Sequence, residues 1–472
     1  MTLKIQNSLT GKKEPFTPIV PGKVRMYVCG ITAYDECHLG HARAAVVFDV
    51  VYRYLKYLGY DVTYIRNFTD VDDKIIKKAN ATGLSCEEVS QKYIFSYTEQ
   101  MKRLGVLPPT QEPRATGHIP QMIALISQLE KKGLAYHSGS DVFFEVRKSS
   151  GYGKLSHKKI NELESGARIE VDEKKKDPLD FALWKGAKPG EPRWPSPWGE
   201  GRPGWHIECS AMSMKYLGDR FDIHGGGRDL IFPHHENEVA QSEGATGLSP
   251  FARFWIHNGF VNIHAEKMSK SLGNTRTMPA ILDQWDPEVV RAFLLSVRYE
   301  SPLNFTDKAM EDTQESLSRF YQALMRLKKS PIGSGTPKTD FKGWLENGMN
   351  DDFNTSAVTA RLFELVRDLN KKMDQGQWIS EASKKDLFEG IKRMGNILGI
   401  FHSDPERFLK VQEERGLQEA TITEAEIVSL IEERKKARQA NDFQRADAIR
   451  QGLSSRGIEL KDNPDGSTSW HH

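Results

Sequence analysis

Apolar and polar positions over the first part of the chain change period in a way that predicts strand, helix, strand. Val24-Arg25-Met26-Tyr27-Val28 is a short, partly apolar run that ends at Cys29-Gly30. A stretch rich in Ala, Val and Leu follows from about Gly40 to Leu58, and Gly59 is placed to cap a helix there. Asp61-Val62-Thr63-Tyr64-Ile65-Arg66 then has the composition of a second strand. Two strands joined through a helix imply a parallel unit, with its site at the strand C-terminal ends. Ser85 and Glu88 form a capping box for a further helix. Cys86, in its first turn, reads as an incidental small residue.

From about Pro113 to Gly204 the pattern is less regular. A helix is predicted from Ile119 to Lys132, and Asp141-Val142-Phe143-Phe144-Glu145-Val146 has strand character. The run from Trp194 to Gly204 is too rich in Pro and Gly for helix or central strand, so it predicts a stiff loop. This stretch reads as an insertion that splits a Rossmann-like domain. Beyond about Phe305 the chain is strongly helical, with a loop over Ser330–Pro337. Thr423 and Glu426 make a second capping box, and Ile427, Leu430 and Ile431 share one face of its helix. Asp442 opens another helix with Phe443, Ala446, Ile449 and Leu453 on one face, ended by Gly457. A small hairpin is expected around the turn at Asn463-Pro464-Asp465-Gly466. The expected boundaries are 1–112, 113–204, 205–255, 256–305, 306–422 and 423–472.

Composition narrows the class. The chain has 472 residues, 38% hydrophobic and 28% charged, which excludes a disordered protein. No apolar run approaches the roughly 18 residues of a membrane span, and Met1–Asn7 lacks the apolar core of a signal peptide. A cytoplasmic protein with no membrane partner is expected. Net charge is only +2, so any RNA binding rests on local stripes such as Arg434, Lys435, Lys436 and Arg438. Cys29, Cys37, Cys86 and Cys209 read as thiols, metal ligands or core residues rather than a disulfide framework; Cys37 is expected in the core.

Two segments carry phosphate chemistry. His38 and His41 are three apart where a loop enters a helix, whose N-terminus offers unpaired N–H groups and partial positive charge. Gly40 between them permits close approach to the backbone. Far downstream, Lys267-Met268-Ser269-Lys270-Ser271 offers two ammonium groups and two hydroxyls ahead of Leu272-Gly273-Asn274, which suits a loop that clamps a polyphosphate. A third set is more dispersed. Cys29 ends a strand, Cys209 lies in Gly204-Trp205-His206-Ile207-Glu208-Cys209-Ser210, and His234 and Glu238 stand four apart after Pro233. That spacing puts His234 and Glu238 on one helical face, with Pro233 opening the helix. The residues alone leave two readings open: a zinc set, or ordinary side chains without the paired spacing of an obvious zinc site.

His38-Leu39-Gly40-His41 early and Lys267–Ser271 late resemble the two signatures of class I aminoacyl-tRNA synthetases. With Cys29, Cys209, His234 and Glu238 in their sequence contexts, the whole chain resembles the bacterial-type cysteinyl-tRNA synthetase family. The resemblance implies an α/β Rossmann-like catalytic domain split by an insertion, then an all-α helical domain and a small α+β C-terminal module. In it 256–305 would carry the clamp loop and contact the tRNA stem, 306–422 would bind tRNA, and 423–472 would read the anticodon. It implies one Zn2+ per chain on Cys29, Cys209, His234 and Glu238. It implies ATP with Mg2+ on His38, Gly40, His41, Lys267, Ser269 and Lys270, with His38, His41, Lys267 and Lys270 catalytic. Thr69, Trp205 and Asp229 would form the cysteine pocket. L-cysteine and tRNA(Cys) would be the other substrates, and a monomer is the family expectation. His206, His224 and His235 would lie near the metal, either packing or supporting it. Three rivals stand beside this: a ligase that joins cysteine to an amino sugar, a non-catalytic RNA binder, and a zinc hydrolase. The helical region beyond Phe305 opposes the first, the intact signatures the second, and the clamp loop the third.

Overall fold

The computed structural model describes residues 2–160, 173–263, 266–267, 276–337, 339–419, 423–454, 456–463 and 467–471. Contacts divide the chain into two compact units. The first comprises Met1–Thr313, Lys338–Glu364 and Asp386–Phe401. The second comprises Gln314–Pro337, Leu365–Lys385 and His402–His472.

The first unit opens with a hairpin of β1 (Lys4–Asn7) and β2 (Lys12–Pro15). β3 (Lys23–Val28) then leads through α1 (Leu39–Tyr57) to β4 (Asp61–Arg66). The two strands pair in parallel from Lys23↔Asp61 to Val28↔Arg66. Val46, Val51, Tyr54 and Leu55 of α1 are fully buried, and each such side chain contributes about 1.5–3 kcal/mol. Two helices follow: α2 (Asp73–Thr82), capped by Asp72 and ended by Gly83 at φ 70°, and α3 (Cys86–Arg103), opened by the Ser85–Glu88 capping box.

The insertion interrupts the sheet at this point. It supplies α4 (Ile119–Lys131) and an antiparallel sheet in the order β5 (Ala135–Ser138), β6 (Asp141–Phe144), β7 (Phe181–Gly186), β8 (Gly201–Pro203). The chain returns through α5 (Trp205–Leu217) to β9 (Phe221–Gly227), α6 (Glu236–Thr246) and β10 (Ala252–Asn258). The parallel sheet therefore runs β10-β9-β3-β4. β3 lies inside it, so Cys29 and the loop to His38 open on the crevice beyond the strand ends. β11 (Val261–Ile263) pairs with β12 (Glu266–Lys267) and with β13 (Leu303–Phe305).

His234 departs from the expected helix. Phe232 is extended at φ −138° and ψ 130°, as residues before proline tend to be, and His234 sits in a π turn over Ile231–His235. Glu238 is on α6, yet the two side chains still meet.

In the second unit, Tyr321 packs on Phe408 with ring centres 4.4 Å apart, and Lys384 donates to the Ser330 carbonyl at 2.6 Å. Its last module is α7 (Glu424–Gln439), opened by the Thr423–Glu426 capping box, α8 (Phe443–Ser454), and the hairpin β14 (Glu459–Asp462) with β15 (Thr468–His471). Ile427, Leu453, Ile458 and Leu460 form its core. Phe443 is not in that core but 59% exposed, because at the first helical position its side chain leans back past the helix end. Arg434 also departs from the expected RNA-facing run. It is buried and makes a two-pronged ion pair with Asp462 at 2.8 and 3.0 Å, while Lys435 and Lys436 are exposed. Among the described residues no helix is long and apolar enough to cross a membrane.

Candidate metal centre and nucleotide cavity

A cavity of about 550 Å³ opens at the C-terminal end of β3, and Cys29, His38, Gly40, His41, Trp205 and Asp229 line it. A second cavity, of about 270 Å³, lies behind α6 around Tyr152 and Glu236 and holds none of these residues.

His38 caps α1 with extended backbone, φ −117° and ψ 174°. Its Nδ1 accepts the Gly40 N–H at 3.1 Å, and His41 Nδ1 accepts the His38 N–H at 3.3 Å. This is a capping box made of two imidazoles, whose rings stack 3.8 Å apart at 18°. With both Nδ1 atoms acting as acceptors, each neutral ring carries its proton on Nε2. Gly40 leaves room for this ring, since a Cβ there would stand 3.0 Å from His38 Cε1 and press the imidazole aside. The unit presents imidazole donors at a helix N-terminus, an arrangement suited to phosphate oxygens.

The dispersed thiols and carboxylate meet around Cys29, the one member of the set that lines the cavity. Donor atoms of Cys29, Cys209, His234 and Glu238 all lie within 4.8 Å of one another. Cys29 Sγ is 3.6 Å from Cys209 Sγ and 3.4 Å from Glu238 Oε1, and His234 Nε2 is 3.1 Å from Glu238 Oε1. Cys29, His224, His235 and Glu238 also satisfy the same spacing. The first set has the softer donors, two thiols and one imidazole, and so fits zinc better. Its remaining atoms are braced: His206 Nδ1 lies 3.0 Å from His234 Nδ1, and His224 Nε2 lies 2.8 Å from Glu238 Oε2. Such outer contacts fix ring tautomer and carboxylate orientation.

Electrostatics matches a cation site. Burial would raise Glu238, but His224 and His234 outweigh it and hold the carboxyl at about 2. Burial would likewise raise Cys209, yet its hydrogen bond with Cys29 and the His234 charge bring it to about 6. Burial would lower His234, and the Glu238 charge instead lifts it to about 10. Burial, then the contact with Cys209, pushes the Cys29 thiol up. A charged carboxylate and thiolate thus face one imidazolium, with all four side chains largely buried.

Residues 15–315 match the family described as "tRNA synthetases class I (C) catalytic domain", and residues 346–402 match the DALR domain. The chain is 51% identical to a cysteine–tRNA ligase of Syntrophotalea carbinolica, over 100% of this chain and 99% of that one. It is 52% identical to a cysteine–tRNA ligase of Geobacter metallireducens, over 99% of each. The chain belongs to the cysteine–tRNA ligase family. The fold of this ligase is also similar to that of Mycobacterium tuberculosis methionyl-tRNA synthetase in complex with methionyl-adenylate. That likeness has a TM-score of 0.61 and 16% identity, over 83% of this chain and 94% of the other.

In this ligase Trp205 begins α5 and stacks on His234 at 4.3 Å, while 39% of its surface stays open beside the cavity. Asp229 is in a short turn after β9, and a Cβ on Gly227 would meet its Oδ1 at 2.5 Å. Thr69 is buried and donates to Glu208 Oε2 at 2.7 Å, and burial raises the Glu208 carboxyl. Met268, Ser269, Lys270 and Ser271, and the side chain of Lys267, lie outside the described residues; the backbone of Lys267 ends β12.

Sequence reasoning missed several supports. Asn67 Oδ1 accepts the Gly30 N–H at 2.9 Å, holding the turn after Cys29. His257 Nε2 lies 2.8 Å from His235 Nδ1, and His235 Nε2 lies 3.3 Å from Cys29 Sγ. Burial keeps His257 down at about 3 and His235 well below the usual imidazole range, so both are neutral braces. Nothing in the spacing of His257 marks it, because its partners come from remote segments.

Proposed function

We propose that this ligase joins L-cysteine to tRNA(Cys) in two ATP-dependent steps through a cysteinyl-adenylate. What supports the reading is that Cys29, His38 and His41 line one cavity. In the first step the cysteine carboxylate attacks the α-phosphorus of ATP and pyrophosphate leaves. His38 and His41 donate from Nε2 to the α-phosphate oxygens as charge grows there, while Gly40 keeps the His38 ring folded back. Lys267, Ser269 and Lys270 hold the β- and γ-phosphates, and Mg2+ enters with ATP. In the second step a ribose hydroxyl at the tRNA 3′ end attacks the adenylate carbonyl and AMP leaves. Catalysis is positioning and electrostatics, without a covalent enzyme intermediate.

Cys29, Cys209, His234 and Glu238 are the ligands for one zinc ion. Zinc bound there accepts a thiolate readily and a hydroxyl poorly, which separates cysteine from serine. Asp229 holds the substrate ammonium, Trp205 walls the side chain, and Thr69, hydrogen-bonded to Glu208, completes the cysteine pocket. Residues 423–472 form the anticodon-recognition module. The ligase acts as a cytoplasmic monomer.

Aminoacylation of purified tRNA(Cys) with cysteine or serine tests the reading. An apolar pocket separates such close analogues by only about 10–200-fold. Metal selection predicts a cysteine preference well above that range, lost together with zinc. Equal charging of serine by the zinc-loaded ligase would overturn it.

A further inference from the structure

Arg43 lies one residue beyond Ala42 on α1, in the turn that follows His41, and is fully buried. No carboxylate pairs with it among the described residues. Its guanidinium instead collects backbone carbonyls from two remote segments. Nη1 donates to Gly259 O at 3.1 Å and Phe260 O at 2.8 Å. Nη2 reaches Ser301 O at 2.5 Å, Tyr299 O at 3.2 Å and Arg298 O at 3.4 Å. Burial lowers this group to about 10, so it remains a cation at neutral pH.

The two segments are the roots of neighbouring strands. Gly259 and Phe260 immediately precede β11, and Arg298–Ser301 lead into β13. β11 pairs with β13 and with β12, which ends at Lys267, the first residue of the downstream signature. The roots meet backbone to backbone: a Cβ on Gly259 would stand 2.5 Å from Ser301 O and 2.7 Å from Glu300 O. Gly259 and Phe260 also line the cavity with His38 and His41. A planar fork of donors suits such converging carbonyls, whereas an ammonium offers a single point.

We propose that Arg43 is a positioning residue for adenylate formation, fixing the helix that bears His38 and His41 against the strand roots that carry Lys267. The inference rests on the assignment of both signatures to ATP. Reacting groups held by separate segments must keep their spacing, and a 1 Å error costs about 100-fold in rate. Arg43 is fully buried and does not line the cavity, so its loss should act on turnover rather than on cysteine binding.

The test is cysteine-dependent ATP–pyrophosphate exchange with zinc-loaded enzyme, for Arg43→Ala, Arg43→Lys, Gly259→Ala and the Arg43→Lys/Gly259→Ala pair. Arg43→Ala should lower kcat about 100-fold, with KM for cysteine and zinc content unchanged. Added guanidinium ion should restore about tenfold of that loss, and Arg43→Lys should not substitute for arginine. Gly259→Ala should reproduce the kcat loss from the other side of the junction, and the pair should lose less than the product of the single effects. If Arg43→Ala does not fold, the Lys variant and the pair decide by the same readout. Exchange within about threefold of wild type, a matching rise in KM for cysteine, or fully multiplicative effects would each overturn the proposal. Wild-type enzyme without cysteine-dependent exchange would instead defeat the assignment of function on which it rests.

Discussion

His38 and His41 together cap the start of α1: His38 Nδ1 receives the Gly40 N–H at 3.1 Å, His41 Nδ1 receives the His38 N–H at 3.3 Å, and the rings stack at 3.8 Å. The stacking and the tautomer have one cause, since both rings must turn Nδ1 inward to serve the backbone. His38 therefore combines two functions that mutation can separate. Asn is a good N-cap and can keep the bond from Gly40, but it cannot supply the Nε2 donor. His38→Asn should lower pyrophosphate exchange by about 100-fold or more while leaving the urea midpoint near wild type. His38→Ala should also destabilise the fold by about 1 kcal/mol. Near-normal exchange by the Asn variant would remove the donor from the mechanism.

Metal binding should be coupled to proton release with a definite count. At pH 7.5 Glu238, near 2, and Cys209, near 6, are already ionised, whereas His234, near 10, and the raised Cys29 thiol hold protons. Zinc must displace the last two, so about two protons should leave per ion and apparent affinity should climb about 100-fold per pH unit near neutrality. Calorimetry of the stripped protein in buffers of different ionisation enthalpy counts them directly. Release of no protons would contradict the ligand set. Cys209→Ser should abolish stoichiometric zinc in elemental analysis.

What was legible before the fold was known follows from how each feature is encoded. α1 and the strands around it announce themselves through period and caps, because Leu39, Val46, Val51 and Leu55 must all face a core. α2 had signals too, Asp72 at its start and Gly83 at its end, but its short apolar face of Ile75, Ile76 and Ala79 is weak. α5 was hidden for the opposite reason: buried residues surround it on most sides, so no stripe stands out. Only His234 and Glu238 are joined by local spacing, four apart; Cys29 and Cys209 come from remote segments, so the residues left a zinc set open and the resemblance to a family was needed to assign all four. Arg43 had no signature at all, because its partners are carbonyls more than 200 residues away that belong to any residue type.

Asp352 gives the first unit a pH-dependent cost. Its Oδ1 accepts the Gln6 N–H and the Tyr299 hydroxyl, both at 2.8 Å, and Arg298 stands 3.4 Å from Oδ2. Burial nonetheless outweighs these contacts and raises the carboxyl from 3.8 to about 6. For an acid whose folded value is raised, the protonated form favours the fold. Its contribution is complete below about pH 4 and lost as pH rises through about 6, a difference of about 3 kcal/mol. Asp352→Asn keeps the Oδ1 acceptor and removes the charge. Its stability relative to wild type should therefore improve by about 2 kcal/mol between pH 4 and pH 7, read from urea midpoints at each pH. An unchanged difference across that range would show that Asp352 is ionised throughout.

The basic run on α7 should separate into structural and RNA-facing members. Arg434 is held by Asp462 at 2.8 and 3.0 Å, Arg438 joins the same carboxylate at 3.0 Å, and Thr468 donates to it at 2.9 Å. Asp462 belongs to β14, so this cluster ties α7 to the hairpin. Lys435 and Lys436 are exposed between these residues. Loss of a phosphate-contacting lysine weakens binding and reduces the salt dependence by about one power of salt concentration. Lys435→Gln with Lys436→Gln should thus raise KM for tRNA and flatten its salt dependence by up to about two powers, with pyrophosphate exchange and melting unchanged. Arg434→Gln should lower the stability of the module by about 1 kcal/mol and speed its proteolysis, leaving the salt slope of the folded protein intact. The reverse pattern, a flattened slope for Arg434→Gln and none for the lysine pair, would return Arg434 to the RNA surface and assign the Asp462 pair no structural role.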